Sequence, residues 1–316
     1  MAQTPVTSAP RSLEIDIADS AVALHTSRFS RALKNAAWEL WKNRTASVGA
    51  VMVFILFLVS LLAPVIATHD PVKQNYRERL QGPSAAHYFG TDKFGRDIWS
   101  RTVWGCRRLV IIAVLAVLVG LLGGIPLGVI SGYYGGWLDV VLMRMTDAWL
   151  AFPGLIFFLL AATLIRAYEL SLFWNTVGLI VALGVARIPD VARLVRGTVL
   201  AEREKDYVEA SIATGESHLY IAFRQVLPNC LSPVIVQATI ALGFELLIIA
   251  TLSFLGLGAP PPTPDWGADL NLAREHMETR PYLAIFPGLA ISFAVLAFNL
   301  FGDGLRDILD PRTRDR

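Results

Sequence analysis

Apolar and polar positions follow one another along this chain in long blocks rather than in short periods. Arg44 is followed by no Asp, Glu, Lys or Arg until Asp70, and Arg108 by none until Asp139. Such runs match the roughly 20 apolar residues that a helix needs to cross a bilayer, and water-facing surface cannot be built from them. The blocks predict an all-α membrane protein with six transmembrane helices, near residues 46–67, 109–131, 146–166, 172–193, 231–256 and 282–302. In the third, Leu142, Met145, Ala148 and Trp149 continue the helical stripe past Arg144 and Asp147. That helix is therefore expected to start near Leu138 and to be kinked at Pro153.

The polar blocks divide the rest of the chain. Residues 1–27 show no helical stripe. In 28–42, Phe29, Leu33, Ala37, Leu40 and Trp41 recur at helical spacing beside the basic Arg31, Lys34 and Lys42. That pattern fits either an amphipathic helix on the membrane surface or a solvated lead-in. The expected organisation is a cytosolic tail over 1–45, a first transmembrane helix over 46–67 and an extracytoplasmic segment over 68–108. A five-helix core over 109–303 follows, containing a cytosolic loop at 200–228, and then a cytosolic tail over 304–316. The first 45 residues hold no apolar core, so the first span, not a cleaved signal peptide, is expected to direct insertion. With both termini inside, 16 Lys and Arg fall on the cytosolic side and 11 on the other, a small excess in the direction the positive-inside rule requires.

Composition narrows the chemistry. Hydrophobic residues make up 54% and charged residues 17%, with a mean hydropathy of +0.51, against about a quarter charged in soluble domains. A net charge of +2 without a basic face gives no footing for nucleic acid. Cys106 and Cys230 are expected at opposite membrane faces, which excludes a disulfide framework. His25, His69, His87, His218 and His276 lack metal-ligand spacing, so no metal site is expected, although His69 and His87 share the outer side. None of the five lysines stands in a Gly-Lys-Ser/Thr phosphate loop, so the chain has no means of hydrolysing ATP. Gly120, Gly123, Gly124 and Gly128 in the second span suit close helix packing.

The loop before the fifth span carries the strongest signal. It reads Asp206-Tyr207-Val208-Glu209-Ala210-Ser211-Ile212-Ala213-Thr214-Gly215 and ends in Val226-Leu227-Pro228-Asn229. Small residues at 210, 211 and 213 leave a helix face that another protein can approach, and Gly215 permits a turn with positive φ at the helix end. Pro228 suits the first position of the next helix, where its missing N–H costs nothing. Short helix, turn, second short helix and re-entry into the bilayer are the expected structure.

This loop resembles the EAA loop of ABC importer permeases, with Glu209, Ala210, Gly215, Leu227 and Pro228 at the family spacing. Ser211 replaces the second Ala of that pattern and Gln225 its Ile. Four further segments look like the C-type subunit of the dipeptide/oligopeptide permease branch. They are Phe89-Gly90-Thr91-Asp92 with Gly95-Arg96-Asp97 and Ser100-Arg101, then Gly132-Tyr133-Tyr134-Gly135-Gly136-Trp137, then Ser253–Gly258 with Pro261, Pro262, Pro264 and Trp266, and finally Asn299–Asp310. The resemblance spans roughly 40–312 and implies a type I (MetI-like) importer permease fold in a bacterial or archaeal inner membrane. It implies as partners a second homologous permease in a heterodimer, two ATPase subunits that use ATP and Mg, and an extracytoplasmic substrate-binding protein. It implies no catalytic residue, metal or cofactor in this chain. The ATPase-docking residues it points to are Tyr207, Glu209, Ala210, Ser211, Ala213, Thr214, Gly215, Leu227 and Pro228. Dipeptides or oligopeptides are the cargo this branch implies, with nickel, opines, glutathione and oligosaccharides as alternatives.

Two further readings rest on single residues and segments. Glu245, mid-span, is expected to face a water-filled translocation path or a helix–helix contact, because a carboxylate facing lipid is costly. Arg187 and Asp190 are expected to pair near the headgroups. Gly90, Thr91 and Asp92 read as a turn and N-cap leading into the second span, with contact to a binding protein as the alternative. An intramembrane hydrolase is disfavoured because no His falls in a span, and a self-contained secondary transporter because no inverted repeat is evident.

Overall fold

The computed structural model describes residues 43–169 and 171–309. The expected interfacial helix at 28–42 lies outside the described residues. Nine helices organise the described chain: α1 (Arg44–Leu61), α2 (Ile98–Tyr134), α3 (Gly136–Leu150), α4 (Gly154–Ala167), α5 (Leu172–Arg203), α6 (Asp206–Ala213), α7 (Leu231–Phe254), α8 (Trp266–Ala273) and α9 (Tyr282–Leu309), with short helical turns between some of them. α1, α2, α7 and α9 are each long and apolar enough to cross a membrane, and the bent pair α3–α4 makes a fifth such unit. The remaining expected crossing, 172–193, falls on α5, which carries Arg187, Asp190, Arg193 and Arg196.

Several helices run well beyond their apolar blocks. α2 begins at Ile98, not near 109, because Asp97 caps it by accepting the Ser100 N–H at 2.8 Å. The cap is therefore Asp97 and not Asp92, which instead closes the preceding turn by accepting the Phe94 and Arg96 N–H groups. Arg101, ahead of the apolar block, is 2% exposed and gives Nε and Nη2 to Asp269. Charges on α5 are absorbed in the same way. Arg193 donates to Asp147 at 2.6 Å and Arg196 to Asp139 at 2.6 Å, both carboxylates on α3. Partners of this kind let a helix continue where hydropathy alone ends it. The third expected span is broken more sharply than a kink, by 78° at Ala151–Pro153.

The central seam is built by glycine. Gly120, Gly124, Gly128 and Gly132, one turn apart on α2, face Arg187, Val191, Val195 and Val199, one turn apart on α5. Both registers rise together, so the two helices run parallel. A Cβ on Gly124 would lie 2.5 Å from that of Val191, and one on Gly128 would lie 2.6 Å from the Ala192 carbonyl oxygen. Gly184 answers from α5 by lying against Val119 and the Ala116 carbonyl. Small residues spaced by four let helix backbones approach closely where no hydrophobic effect drives association. On the other side, α9 packs antiparallel to α1 through Gly49 against Phe301 and Gly304 against Ala46.

Three apolar clusters stack along α2, which at 1.5 Å per residue is about 56 Å long. Ile98 joins Ala273 and Leu283 at one end, where the Phe89 and Phe286 rings stack. Leu109, Ile112 and Ala116 meet α1, α7 and α9 in the middle. Val129 and Tyr133 meet Val195, Val199 and the 206–229 segment at the other end.

The seam yields a paired prediction. Gly128→Val is expected to lower stability by about 1–3 kcal/mol through overpacking. Gly197→Ala, whose added Cβ meets nothing within 4 Å, is expected to be neutral or slightly stabilising. Unfolding of the purified variants, followed by thermal denaturation in detergent, checks both.

Candidate functional site

The loop between α5 and α7 is a compact helical hairpin with an exposed tip. Helix α6 ends in a Schellman arrangement, with the Gly215 N–H donating to the Ile212 carbonyl and the Glu216 N–H to the Ser211 carbonyl. Gly215 takes φ +84° there with open space around it, so backbone conformation rather than room demands glycine. Ser217 caps the second helical stretch, whose Ile221–Val226 portion is π-helical just ahead of Pro228. Pro228 is the second residue of the next short helix, Leu227–Asn229, one place later than expected but still in the first turn.

Buried anchors hold this hairpin to the long helices. Val208, Ile221, Ala222 and Val226 pack with Val195 and Val199 of α5 and Val129 of α2. Arg203 donates to the carbonyls of Gly132 and Tyr133, and the Tyr133 hydroxyl lies 3.1 Å from His218 Nδ1. Tyr207 donates to Glu202 and accepts from Asn229, and burial pushes its phenol pKa up, so it remains a donor near neutral pH. The opposite face is open. Glu209, Ala210, Ala213, Thr214 and Gly215 are exposed, together with Ile212, Leu219 and Tyr220. The spacing had pointed to the small residues; the exposed Ile212, Leu219 and Tyr220 and the buried Val208 become visible only when both arms are folded together.

The two departures from the EAA pattern touch each other. The Ser211 hydroxyl donates to Gln225 Oε1 at 2.8 Å, and the Gln225 amide donates to Glu216. A pair of small and branched apolar residues is here a hydrogen-bonded pair across the hairpin, joining its arms at the same place.

A cleft of about 850 Å³ lies where α3 and α4 bend away, bordered also by α5 and α7. Trp149, Phe152, Phe157 and Phe244 line its walls, with Arg187, Asp190 and Gln237 as its polar groups. Glu245 does not line it. Its side chain is 1% exposed, and Oε1 accepts from Arg187 Nε at 3.0 Å and Nη2 at 2.7 Å. The carboxylate sits behind the guanidinium that faces the cleft, because a buried charge needs a partner of opposite sign. Arg187 therefore pairs chiefly with Glu245, while Asp190, expected as its partner, is 3.8 Å away. Among the described residues Glu245 Oε2 has no hydrogen-bond partner. Helix α5 enters the 206–229 loop and α7 leaves it, so the two members of this pair stand on the two helices the loop joins.

At the far end of α2, the Gly90–Arg101 segment is tightly built. Arg96 is buried on Asp92, and the Arg101 guanidinium also donates to the Pro71 and Pro262 carbonyls. Those contacts are structural work, tying the 68–97 segment to the 257–273 segment.

Comparison with known proteins agrees with this architecture. Residues 124–315 match the family described as the inner membrane component of binding-protein-dependent transport systems, and residues 32–83 match the N-terminal transmembrane domain of oligopeptide transport permease C. The dipeptide transport system permease protein DppC of Alkalihalophilus pseudofirmus is 41% identical over 89% of this chain and 90% of its own length. That of Haemophilus influenzae is 42% identical over 89% and 96%. The glutathione transport system permease protein GsiD of Pectobacterium atrosepticum is 39% identical over 87% and 91%. Among solved structures, an inward-facing form of the MetNI methionine ABC transporter shares the fold, with a TM-score of 0.53 at 19% identity over 67% of this chain and 97% of that one. The chain belongs to the family of inner-membrane components of binding-protein-dependent transport systems, and is a non-catalytic, multi-pass permease subunit of an ABC importer.

Proposed function

We propose that this chain forms half of the translocation pathway of an importer for dipeptides or other short peptides. Its complete assembly comprises a second, homologous permease, two ATPase subunits that bind ATP and Mg, and an extracytoplasmic binding protein that delivers the cargo. Six crossings, made by α1, α2, the bent pair α3–α4, α5, α7 and α9, put both termini and the 206–229 loop on the cytosolic side of the inner membrane. Tyr207, Glu209, Ala210, Ser211, Ala213, Thr214, Gly215, Leu227 and Pro228 make the docking loop for one ATPase subunit, and Ile212, Leu219 and Tyr220 supply its apolar contact.

One observation carries this reading: the loop that offers an exposed apolar tip is anchored to the same two helices whose ion pair borders the cleft. Val199 of α5 packs under the loop and Arg187 lies 12 residues before it, about 18 Å along a helix. Movement of the ATPase dimer against the tip is passed through α5 and α7 to Arg187 and Glu245. A packed helix interface responds to such a push by switching between discrete arrangements, which is how inward- and outward-facing states exchange. The cleft offers one guanidinium, one carboxylate and aromatic walls, which suits a zwitterionic chain with variable side chains. Relatives named for dipeptides and for glutathione, itself a tripeptide, agree with that class of cargo.

Two experiments test this reading. Gly215→Val forces a β-branched residue into φ +84°, at a cost of about 1–2 kcal/mol. It is expected to abolish co-purification of the ATPase subunits, whereas Gly215→Asn, which tolerates that conformation, retains them. Equal retention in both variants would sink the docking assignment. Glu245→Gln removes the countercharge of Arg187 and is expected to cut the maximal rate of peptide uptake about tenfold or more, since breaking a buried pair is costly. The half-saturating concentration, set by the binding protein, is expected to stay the same. Uptake at the unaltered rate, with the variant present in the membrane in normal amount, would overturn a role for the pair.

A further inference from the structure

We propose that His69, His87 and Asp97 form a site for one divalent transition-metal ion, zinc above all, at the end of α2 opposite the 206–229 loop. The three residues come from separate stretches of chain: the segment that follows α1, the loop near residue 87, and the cap of α2. One ligand atom from each lies within 4.8 Å of the other two. Asp97 Oδ1 is 2.9 Å from His87 Nδ1 and 3.8 Å from His69 Nδ1, and the two imidazole centroids are 4.7 Å apart. Around a tetrahedral zinc with bonds of about 2.0 Å, ligand atoms stand about 3.3 Å apart. The observed separations bracket that value, and the looser member, His69, has a side chain 43% exposed.

Capping alone does not explain this arrangement. The cap uses only Asp97 Oδ2, which accepts the Ser100 N–H at 2.8 Å and the Ser100 hydroxyl at 2.6 Å. Those two bonds fix the carboxylate so that Oδ1 faces the two rings. His87 is backed on its other side: its Nε2 lies 3.6 Å from Glu78 Oε2, and Asn75 Nδ2 holds that oxygen at 2.6 Å. A carboxylate behind the distal nitrogen of an imidazole is the outer-shell arrangement that orients metal-bound histidines.

Without an ion, His87 Nδ1–H donates to Asp97 Oδ1. On binding, His87 changes tautomer by exchange with solvent: Nδ1 loses its proton, Nε2 gains one and holds it as an N–H facing the Glu78 carboxylate, and the freed Nδ1 lone pair goes to the metal. No net charge leaves the imidazole. His69 turns its Nδ1 lone pair from the Thr68 hydroxyl, 3.0 Å away, to the ion. Two neutral imidazoles and one carboxylate select zinc, nickel or cobalt over magnesium or calcium, which prefer all-oxygen sets. The open fourth position faces solvent on the His69 side, and buried His87 and Asp97 form the floor. A bound ion would fasten the segment after α1 to the start of α2.

The test uses the full-length chain in lipid nanodiscs, purified through a tag without histidines and stripped with chelator, with zinc binding read by competition against a chromophoric chelator. One zinc per chain is expected. His69→Ala, at an exposed position, is expected to weaken binding at least about tenfold with an unchanged melting temperature in chelator. Glu78→Gln is expected to weaken it by about 10–100-fold, as outer-shell changes do. Failure of the unaltered chain to take up one equivalent, or His69→Ala binding zinc as tightly as the unaltered chain, would overturn the site.

Discussion

The glycine seam between α2 and α5 is the constraint on which the other features depend. Four glycines at four-residue spacing bring two long parallel helices into backbone contact, and in lipid such contact is a main source of association. The approach leaves no freedom of register, since sliding either helix by one residue would drive a valine into backbone. A rigid pair is thereby built, with the 206–229 loop at one end and the 68–97 segment at the other. The cleft opens beside it, where α3 and α4 bend away.

That seam also decides where the charges of α5 go. With one face of α5 against α2, three of its arginines turn to α3 or α7, while Arg203, at its end, donates to the Gly132 and Tyr133 carbonyls that end α2. Arg196 and Arg193 meet Asp139 and Asp147 of α3, and Arg187 meets Glu245 of α7. In the buried Arg187–Glu245 pair each charge offsets the other's desolvation cost, whereas Arg193 and Asp147 are half exposed and their pair is worth little. The pairs also cross-link α5 to the elements around it.

Much of this was legible in the chain itself. Long apolar runs, charge-free but for Glu245 in α7, located α1, α2, α7 and α9, because the bilayer requirement is one of length and apolarity. Glu209, Gly215 and Pro228 placed the loop, because a turn with positive φ and a helix start each restrict the residue types allowed. Helix ends were not legible. That Arg101 is buried, ahead of the apolar block, is decided by Asp269, far away in sequence, which receives it. For Glu245 the chain leaves open a path residue or a helix–helix contact, and only Arg187, lying between it and the cleft, decides for the contact. His69 and His87 are 18 residues apart with no ligand spacing, and only the folded 68–97 segment brings their rings together.

By itself, then, the sequence determined that the chain is a membrane protein, which of its blocks are apolar enough to span, and which loop resembles the EAA loop of importer permeases. These properties are local: they depend on apolar length, on backbone preferences and on spacing within a few turns. Tertiary structure alone decided which charge neutralises which, which residues face the cleft, how Ser211 and Gln225 replace an apolar contact with a hydrogen bond, and where two distant histidines meet one carboxylate. Those outcomes depend on contacts between segments far apart in the chain, and the energy of a buried charge depends on the partner that packing happens to supply.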